Sequence, residues 1–195
     1  MSERAAPRVG VLALQGDFRE HSRMIQAAGA EPTEVRTRTD LESVEALIIP
    51  GGESTTIGRL ADLYDLIEPL RSRIESGLPA LGTCAGMIFL AAAVTEGTQP
   101  LLGVLDMVVE RNAFGRQNES FECRLDVQGW DSPLQAVFIR APLVDEISPD
   151  IEVLARHNGR PVLVGKEHIL ACAFHPELTD DLRLHKMLIN LIQEQ

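Results

Sequence analysis

Cys84 is placed as a nucleophile would be. It stands in Leu78-Pro-Ala-Leu-Gly-Thr-Cys84-Ala-Gly-Met-Ile-Phe-Leu90, where a short apolar run enters Gly82-x-Cys84-x-Gly86 and a second apolar run follows. That pattern predicts a strand, a very tight turn and a helix, with the cysteine at the apex. Glycines two residues before and two after the apex leave room for the turn. A sulfur there sits at a helix N-terminus, where the dipole and the free backbone N–H groups favour an anion. A free cysteine is more commonly a small buried core residue, so the reading needs a partner base.

His175 supplies one. Ile169-Leu-Ala-Cys-Ala-Phe174 reads as a buried strand and ends in His175-Pro176-Glu177. A thiol nucleophile needs a base that takes its proton, and the imidazole needs a third group to fix its tautomer. On an extended strand residues two apart face the same side, which would put Glu177 beside His175. Pro176 stiffens the pair. His21, His157, His168 and His185 have no comparable neighbourhood: His185 fits a solvated position on the last helix, and His157, in Arg156-His-Asn-Gly159, fits a turn.

The third segment is Ala46-Leu-Ile-Ile-Pro50-Gly51-Gly52-Glu53-Ser54-Thr55-Thr56. Four apolar residues form a strand, and Pro-Gly-Gly ends it with exposed N–H groups. Such donors can stabilise the oxyanion of an acyl-transfer intermediate. Ser54 or Thr55 can cap the helix that follows.

The elements that must hold these residues follow from apolar runs and their punctuation. Val9 to Leu14 reads as a strand, Asp17 to Ala28 as a capped helix stopped by Gly29, and Glu31 to Arg36 and Ala46 to Ile49 as strands. Thr55 to Ser76 is helical with a break near Pro69. Ala80 to Thr83 is the elbow strand and Ala85 to Val94 its helix. This β-α-β-α-β-α order predicts a parallel sheet covered on both faces. After Gly103 come short strands, at Val104–Glu110, Ser120–Val127, Ala136–Arg140, Glu152–Arg156, Pro161–Val164 and Ile169–Phe174, expected as antiparallel additions to that sheet. A helix from Asp180 to Gln193, capped by Thr179, closes the chain. The fold class is therefore α/β: an open, mostly parallel three-layer sheet of flavodoxin-like type with added antiparallel strands, one domain over residues 1–195. The three motifs all follow strands, where such sheets place their sites.

Composition narrows the function classes. Of the 195 residues, 45% are apolar, too many for a disordered chain. The longest apolar run, Met87 to Val94, is too short for a membrane span, and the polar start, Met1 to Arg8, does not read as a signal peptide. Three cysteines without a C-x-x-C pair suit a reducing compartment, so a cytoplasmic location is expected. Cys123 and Cys172 read as core or strand residues. A net charge of −11 argues against nucleic acid and anionic membrane as partners. No metal or cofactor motif is present.

Taken together, Gly-Thr-Cys84-Ala-Gly, Pro-Gly-Gly-Glu53-Ser-Thr-Thr and Phe-His175-Pro-Glu177 resemble the class I, triad-type glutamine amidotransferases. More specific blocks resemble, within that class, the glutaminase subunits of pyridoxal 5′-phosphate synthase: Leu14-Gln-Gly with Arg19-Glu-His21, Pro50 to Thr56, Val109-Glu-Arg111-Asn-x-Phe-Gly-Arg-Gln117, Phe138-Ile-Arg-Ala-Pro142 and His175-Pro-Glu-Leu-Thr179. The resemblance covers nearly the whole chain.

The resemblance implies roles. Cys84 would attack the side-chain amide of L-glutamine to give a γ-glutamyl thioester and ammonia. His175 would act as base and acid, oriented by Glu177. The N–H groups of Gly52 and Ala85 would form the oxyanion hole. Gly52, Glu53, Ser54, Arg111, Ile139 and Arg140 would hold the substrate. No cofactor or metal is implied. Ammonia would pass to a separate (β/α)8-barrel synthase subunit that builds pyridoxal phosphate, and the glutaminase would be nearly silent until that partner docks. Gln15 and the helix from Asp17 to Gln26 would lie near the partner-facing side. Two other readings compete: a different triad amidotransferase, disfavoured by the blocks around Arg111 and Arg140, and a sensor thiol on the same fold, disfavoured because a sensor needs no oriented base.

Overall fold

The structure, a computed structural model, describes residues 5–111 and 120–193. In chain order the elements are β1 (Arg8–Leu12), α1 (Phe18–Ala27), β2 (Glu31–Val35), α2 (Arg38–Glu42), β3 (Ala46–Ile49), α3 (Ser54–Leu63), α4 (Ile67–Glu75), β4 (Ala80–Thr83), α5 (Ala85–Leu90) and β5 (Ala91–Val94). Then follow β6 (Leu105–Glu110), β7 (Ser120–Leu125), β8 (Leu134–Ile139), β9 (Leu143–Ile147), β10 (Glu152–His157), β11 (Arg160–Lys166), β12 (Ile169–Cys172), a 3₁₀ turn at Pro176–Leu178, and α6 (Arg183–Leu191).

Among the described residues, seven strands form one sheet in the order β10-β11-β12-β4-β3-β1-β2. From β12 to β2 every pairing is parallel, and β10 and β11 add antiparallel strands at the far edge. Side chains alternate between the faces of a sheet, yet every residue of β3, β4 and β12 is buried, so both faces are covered. Pro32 sits in β2, at the sheet edge, where a missing N–H costs no ladder bond. The chain steps from β1 to β2 on one side and returns to β3 on the other. The crevice at the carboxyl ends of β1 and β3 is therefore a topological switch point.

The fold differs from the sequence reading at several elements. Of the later strands, β10 and β11 extend the main sheet antiparallel as expected, whereas β12 joins it parallel to β4. β5, β6 and β9 form a separate sheet, and β7 and β8 pair with each other. The elbow helix ends at Leu90 rather than Val94. The carbonyls of Phe89 and Leu90 accept from Leu102 N (2.8 Å) and Val104 N (3.0 Å), which takes them out of any further helical turn and leaves Ala91–Val94 to pair with β6. α2 and β9 were not anticipated. α2 carries a readable start signal, a capping box in which Thr37 and Asp40 bond each other's backbone N–H.

Candidate active site

Cys84 sits between β4 and α5 with φ 48° and ψ −103°, left-handed backbone that a non-glycine residue adopts at a cost of about 1–3 kcal/mol. Its surroundings hold it there. Cys84 N donates to Cys172 O at 2.8 Å, locking the turn to β12. The flanking glycines permit the close approach: a Cβ on Gly86 would fall 2.0 Å from Ile49 O, and one on Gly82 would fall 2.6 Å from Gly86 O. The thiol is 7% exposed, and its Sγ lies 3.9 Å from Ile139 O.

His175 follows β12, the strand beside β4, so the parallel register brings the two motifs to one end of the sheet. Its N–H donates to Val137 O at 2.8 Å, tying it to β8. Glu177 reaches the ring through the 3₁₀ turn opened by Pro176, not along an extended strand as the spacing suggested. His175 Nδ1 lies 2.7 Å from Glu177 Oε1, with Asp17 Oδ2 at 3.6 Å as a second, half-exposed carboxylate. Nδ1 is thereby committed to the carboxylates, which leaves Nε2 for the sulfur. Burial pushes the His175 imidazolium toward neutrality. Hydrogen bonds to Cys84 and Glu177, and the charges of both, outweigh it and carry the pKa up to about 10. Burial raises Glu177, opposed by its bond to His175. Asp17 is also raised, chiefly by burial and against the pull of His175.

The Pro50–Glu53 turn closes over this pair. A Cβ on Gly52 would fall 2.4 Å from Gln15 Oε1, and Glu53 N donates to that same oxygen at 2.7 Å. The helix cap differs from expectation. Glu53, not Ser54 or Thr55, caps α3, its carboxylate accepting from Thr55 N, Thr56 N and Thr56 Oγ1 at 3.1, 2.7 and 2.6 Å. Slight burial raises its pKa, but these bonds prevail and hold it below the usual range. Two N–H groups need an acceptor at the start of α3, and a carboxylate can serve both.

Arg111 is fixed by Thr55 and by two residues that sequence reasoning did not single out, Gln99 and Glu96. Its Nη1 donates to Gln99 Oε1 at 2.9 Å and to Thr55 Oγ1 at 3.0 Å, and its Nη2 donates to Glu96 O at 3.1 Å. Ser54, 5% exposed, also donates to Gln99 Oε1, at 3.3 Å. The block from Asn112 to Gln117 lies outside the described residues. Arg140, after β8, has φ 45°.

Of the ten residues expected at the site, nine line one cavity of about 490 Å³: Cys84, Ala85, His175, Gly52, Glu53, Ser54, Arg111, Ile139 and Arg140. Glu177 lies behind His175, out of the cavity. Gln15, Asp17 and Ile88 complete the wall. A larger hollow near Glu122, Arg124 and Asp181 lacks a nucleophile with a base among its lining residues. Asp17, His175 and Glu177 bring three ligand atoms within 4.8 Å of one another. The ring nitrogen among them already bonds Glu177 at hydrogen-bond distance, so the group reads as a hydrogen-bonded cluster.

The reading of His185 as solvated is corrected: His185, like His21, is fully buried and bonded. A signal existed: His185 falls in step with Leu184, Leu188 and Ile189 on the buried stripe of α6, and His21 with Met24 and Ile25 on α1. Cys123 does have an imidazole beside it, His157 Nδ1 at 3.6 Å. Burial raises the Cys123 thiol. Cys172 is wholly buried, its thiol pushed well up first by burial and then by the charge of Glu177.

A cysteine at a strand-to-helix elbow and an imidazole after the neighbouring strand thus face one cavity of an α/β sheet. The chain belongs to the SNO glutamine amidotransferase family, matched over residues 11–194. It is 54% identical to the pyridoxal 5′-phosphate synthase subunit PdxT of Parafrankia sp. (98% of this chain, 96% of the relative) and 53% identical to that of Shouchella clausii (96% of each). A solved structure described as a glutamine amidotransferase superposes with a TM-score of 0.91 at 52% identity, covering 95% of this chain and 98% of that one. A putative GMP synthase subunit of Thermoplasma acidophilum, 16% identical with a TM-score of 0.72 over 98% and 96% of the two chains, shares the fold. No helix among the described residues is long and apolar enough to cross a membrane.

Proposed function

We propose that the chain hydrolyses the side-chain amide of L-glutamine, with Cys84 as nucleophile, His175 as acid and base, and Glu177 as the group that orients it. One observation carries this reading: Cys84, on strained backbone at the start of α5, and the Glu177-bonded imidazole after β12 line one cavity.

Cys84 Sγ attacks the amide carbon, and His175 Nε2 gives its proton to the leaving nitrogen, so that ammonia departs and a γ-glutamyl thioester remains. His175 then takes a proton from water as the water attacks the thioester, and glutamate leaves with the thiol restored. The negative oxygen of each tetrahedral intermediate is received by the N–H groups of Gly52 and Ala85, each worth about 10²–10³ in rate. Arg111 and Arg140 suit the substrate carboxylate, and Glu53 suits its ammonium, alongside Gly52, Ser54 and Ile139.

The ammonia is delivered to a (β/α)8-barrel synthase subunit for pyridoxal phosphate formation, a reading that rests on the family resemblance and is supported by the relatives' name as subunits of pyridoxal 5′-phosphate synthase. The same partner activates the site. Gln15, in the β1–α1 turn, holds Glu53 N, so a partner seated on α1 could alter the Gly52 peptide through that bond. The test is glutamate release by the chain alone and with the barrel subunit. A rate that rises on adding the barrel and disappears in Cys84→Ala supports the reading. A rate indifferent to Cys84→Ala overturns the mechanism, and full activity without the barrel overturns the activation.

A further inference from the structure

Glu177 has a second face. Its Oε1 is bonded to His175, while Oε2 is buried with no hydrogen-bond partner among the described residues and lies within ion-pair distance, 3.3 Å, of Nε2 of His21. That nitrogen is also 3.1 Å from Thr83 Oγ1, on the strand that leads to Cys84. The other nitrogen of His21, Nδ1, is 3.0 Å from Nε2 of His185. Both histidines have no exposed surface. His185 Nδ1 is buried with no hydrogen-bond partner among the described residues.

These contacts determine which way the protons point. Burial keeps both rings neutral: it lowers His21 far below the ordinary histidine value, helped by His185 and His175, and takes His185 to about 4. A neutral imidazole has one N–H and one lone pair. If His21 Nδ1 donated to His185, His185 would carry its own proton on Nδ1, as a buried N–H with no acceptor. His21 would also turn a lone pair toward the Glu177 carboxylate. The opposite arrangement leaves only a lone pair unpartnered at His185 Nδ1, the less costly orphan. His185 Nε2–H therefore donates to His21 Nδ1, and His21 Nε2–H faces Glu177 Oε2, with Thr83 beside it.

We infer that His21, oriented by His185, is a positioning residue: its Nε2–H, set between Thr83 Oγ1 and Glu177 Oε2, keeps its positive end against the carboxylate that in turn holds His175. The chain of contacts runs from α6 through α1 to the 3₁₀ turn and the cavity. A buried carboxylate with one oxygen unpaired is costly to ionise, and the charge of Glu177 is what His175 needs. The titratable groups facing Glu177 are His175 and, on the cavity side, Asp17, with Cys172 from β12 and His21 from α1. Those facing His21 are His185 from α6, Glu177 and, more distantly, His175.

The consequence for turnover rests on the glutaminase reading, whereas the hydrogen-bond polarity does not. The test therefore pairs an NMR titration of the His175 ring in the full chain with glutamine kinetics. His21→Leu removes the donor. His21→Gln places an amide N–H near the position of Nε2. His21→Leu with His185→Leu removes the donor and leaves no stranded N–H on His185. In His21→Leu the His175 midpoint should fall by roughly a unit or more from about 10. It should stay low in the double variant and return toward the wild-type value in His21→Gln. Where glutamine is turned over, kcat should follow the same order, about tenfold down for His21→Leu with KM within about twofold. A wild-type midpoint in the folded double variant overturns the inference, whether the single variant titrates normally or is merely repaired by better packing. So does a midpoint in His21→Gln as low as in His21→Leu. Absence of glutamine turnover by the wild type even with the barrel subunit present would count against the glutaminase reading alone, since the ring titration does not depend on it.

Discussion

Gly51 and His175 are packed so closely that a Cβ on the glycine would fall 2.5 Å from Cε1 of the imidazole and 2.9 Å from Nδ1. The Pro50–Gly52 turn and the His175 ring are therefore one packed unit. Gly51→Ala must move the ring or the turn. A displacement of an ångström at such a site costs about 10² in rate. We expect kcat to drop by about that much with a thermal midpoint close to wild type, read from glutamate release and calorimetry. An alanine variant with normal turnover would show that the ring has room to give.

Cys84→Ala should abolish hydrolysis, with a loss of several orders of magnitude. It should not relieve the backbone, because alanine at φ 48° is as strained as cysteine. Cys84→Gly should also be inactive, yet more stable than Cys84→Ala by about 1 kcal/mol, the lower end of the cost of a left-handed non-glycine residue. Chemical denaturation of the two variants side by side measures the difference. Equal stability would mean that the elbow stores no strain.

Stability should fall on the acid side through the buried histidines. His185 has a folded pKa of about 4, and that of His21 is lower than its ordinary value by a wide margin. For such depressed bases the contribution is fully present above about 6.5 and is lost as pH falls toward the folded value, because the unfolded chain binds protons that the fold refuses. The slope should approach about 1.4 kcal/mol per pH unit for each histidine. His175 works in the opposite sense: raised to about 10, it contributes fully below about 6.5 and loses that contribution as pH climbs to its folded value. Urea midpoints between pH 4 and 10 should thus be highest near neutrality. Replacing His21 and His185 together with leucine should flatten the acid limb and, because it lowers the His175 midpoint, shorten the alkaline one.

Gln99→Leu should raise KM for glutamine more than it lowers kcat. Gln99 Oε1 receives Arg111, Ser54 and Thr55, so its loss frees three groups at the substrate end of the cavity and none at the sulfur. A charged-group hydrogen bond is worth about 1.5–3 kcal/mol, which corresponds to a KM increase of about tenfold to a hundredfold. Steady-state kinetics with the activated enzyme distinguishes this from a fall in kcat alone.

Iodoacetamide should label Cys84, with glutamine protecting it, and leave Cys172 untouched in the folded chain. Cys172 has no exposed surface, and its thiol is held protonated by burial. Cys123→Ala should keep activity within a few-fold, since the Cys123–His157 contact is on β7 and β10, away from the cavity. Mass spectrometry of labelled peptides settles the first point and a rate assay the second.

How far each feature was legible depends on its range. The Gly82-x-Cys84-x-Gly86 elbow is written locally, because a tight turn needs glycine at fixed offsets and the next apolar run can only be its helix. The β-α-β order likewise announces a parallel sheet, and His175-Pro-Glu177 places an imidazole and a carboxylate within three residues. Tertiary structure decided everything that depends on distant partners. That Cys84 N meets Cys172 O, that Gln99 steadies Arg111, and that Glu53 rather than Ser54 caps α3 all follow from strand order and close packing. The partners of β5 to β9 were hidden for the same reason: alternation marks a strand but not its neighbour. His21 and His185 show the limit most clearly. They are 164 residues apart, each on an apolar helical stripe where a polar ring looks out of place. Only the fold sets the two rings 3.0 Å apart and turns them toward Glu177, because a buried polar atom must find its partner wherever the chain brings one.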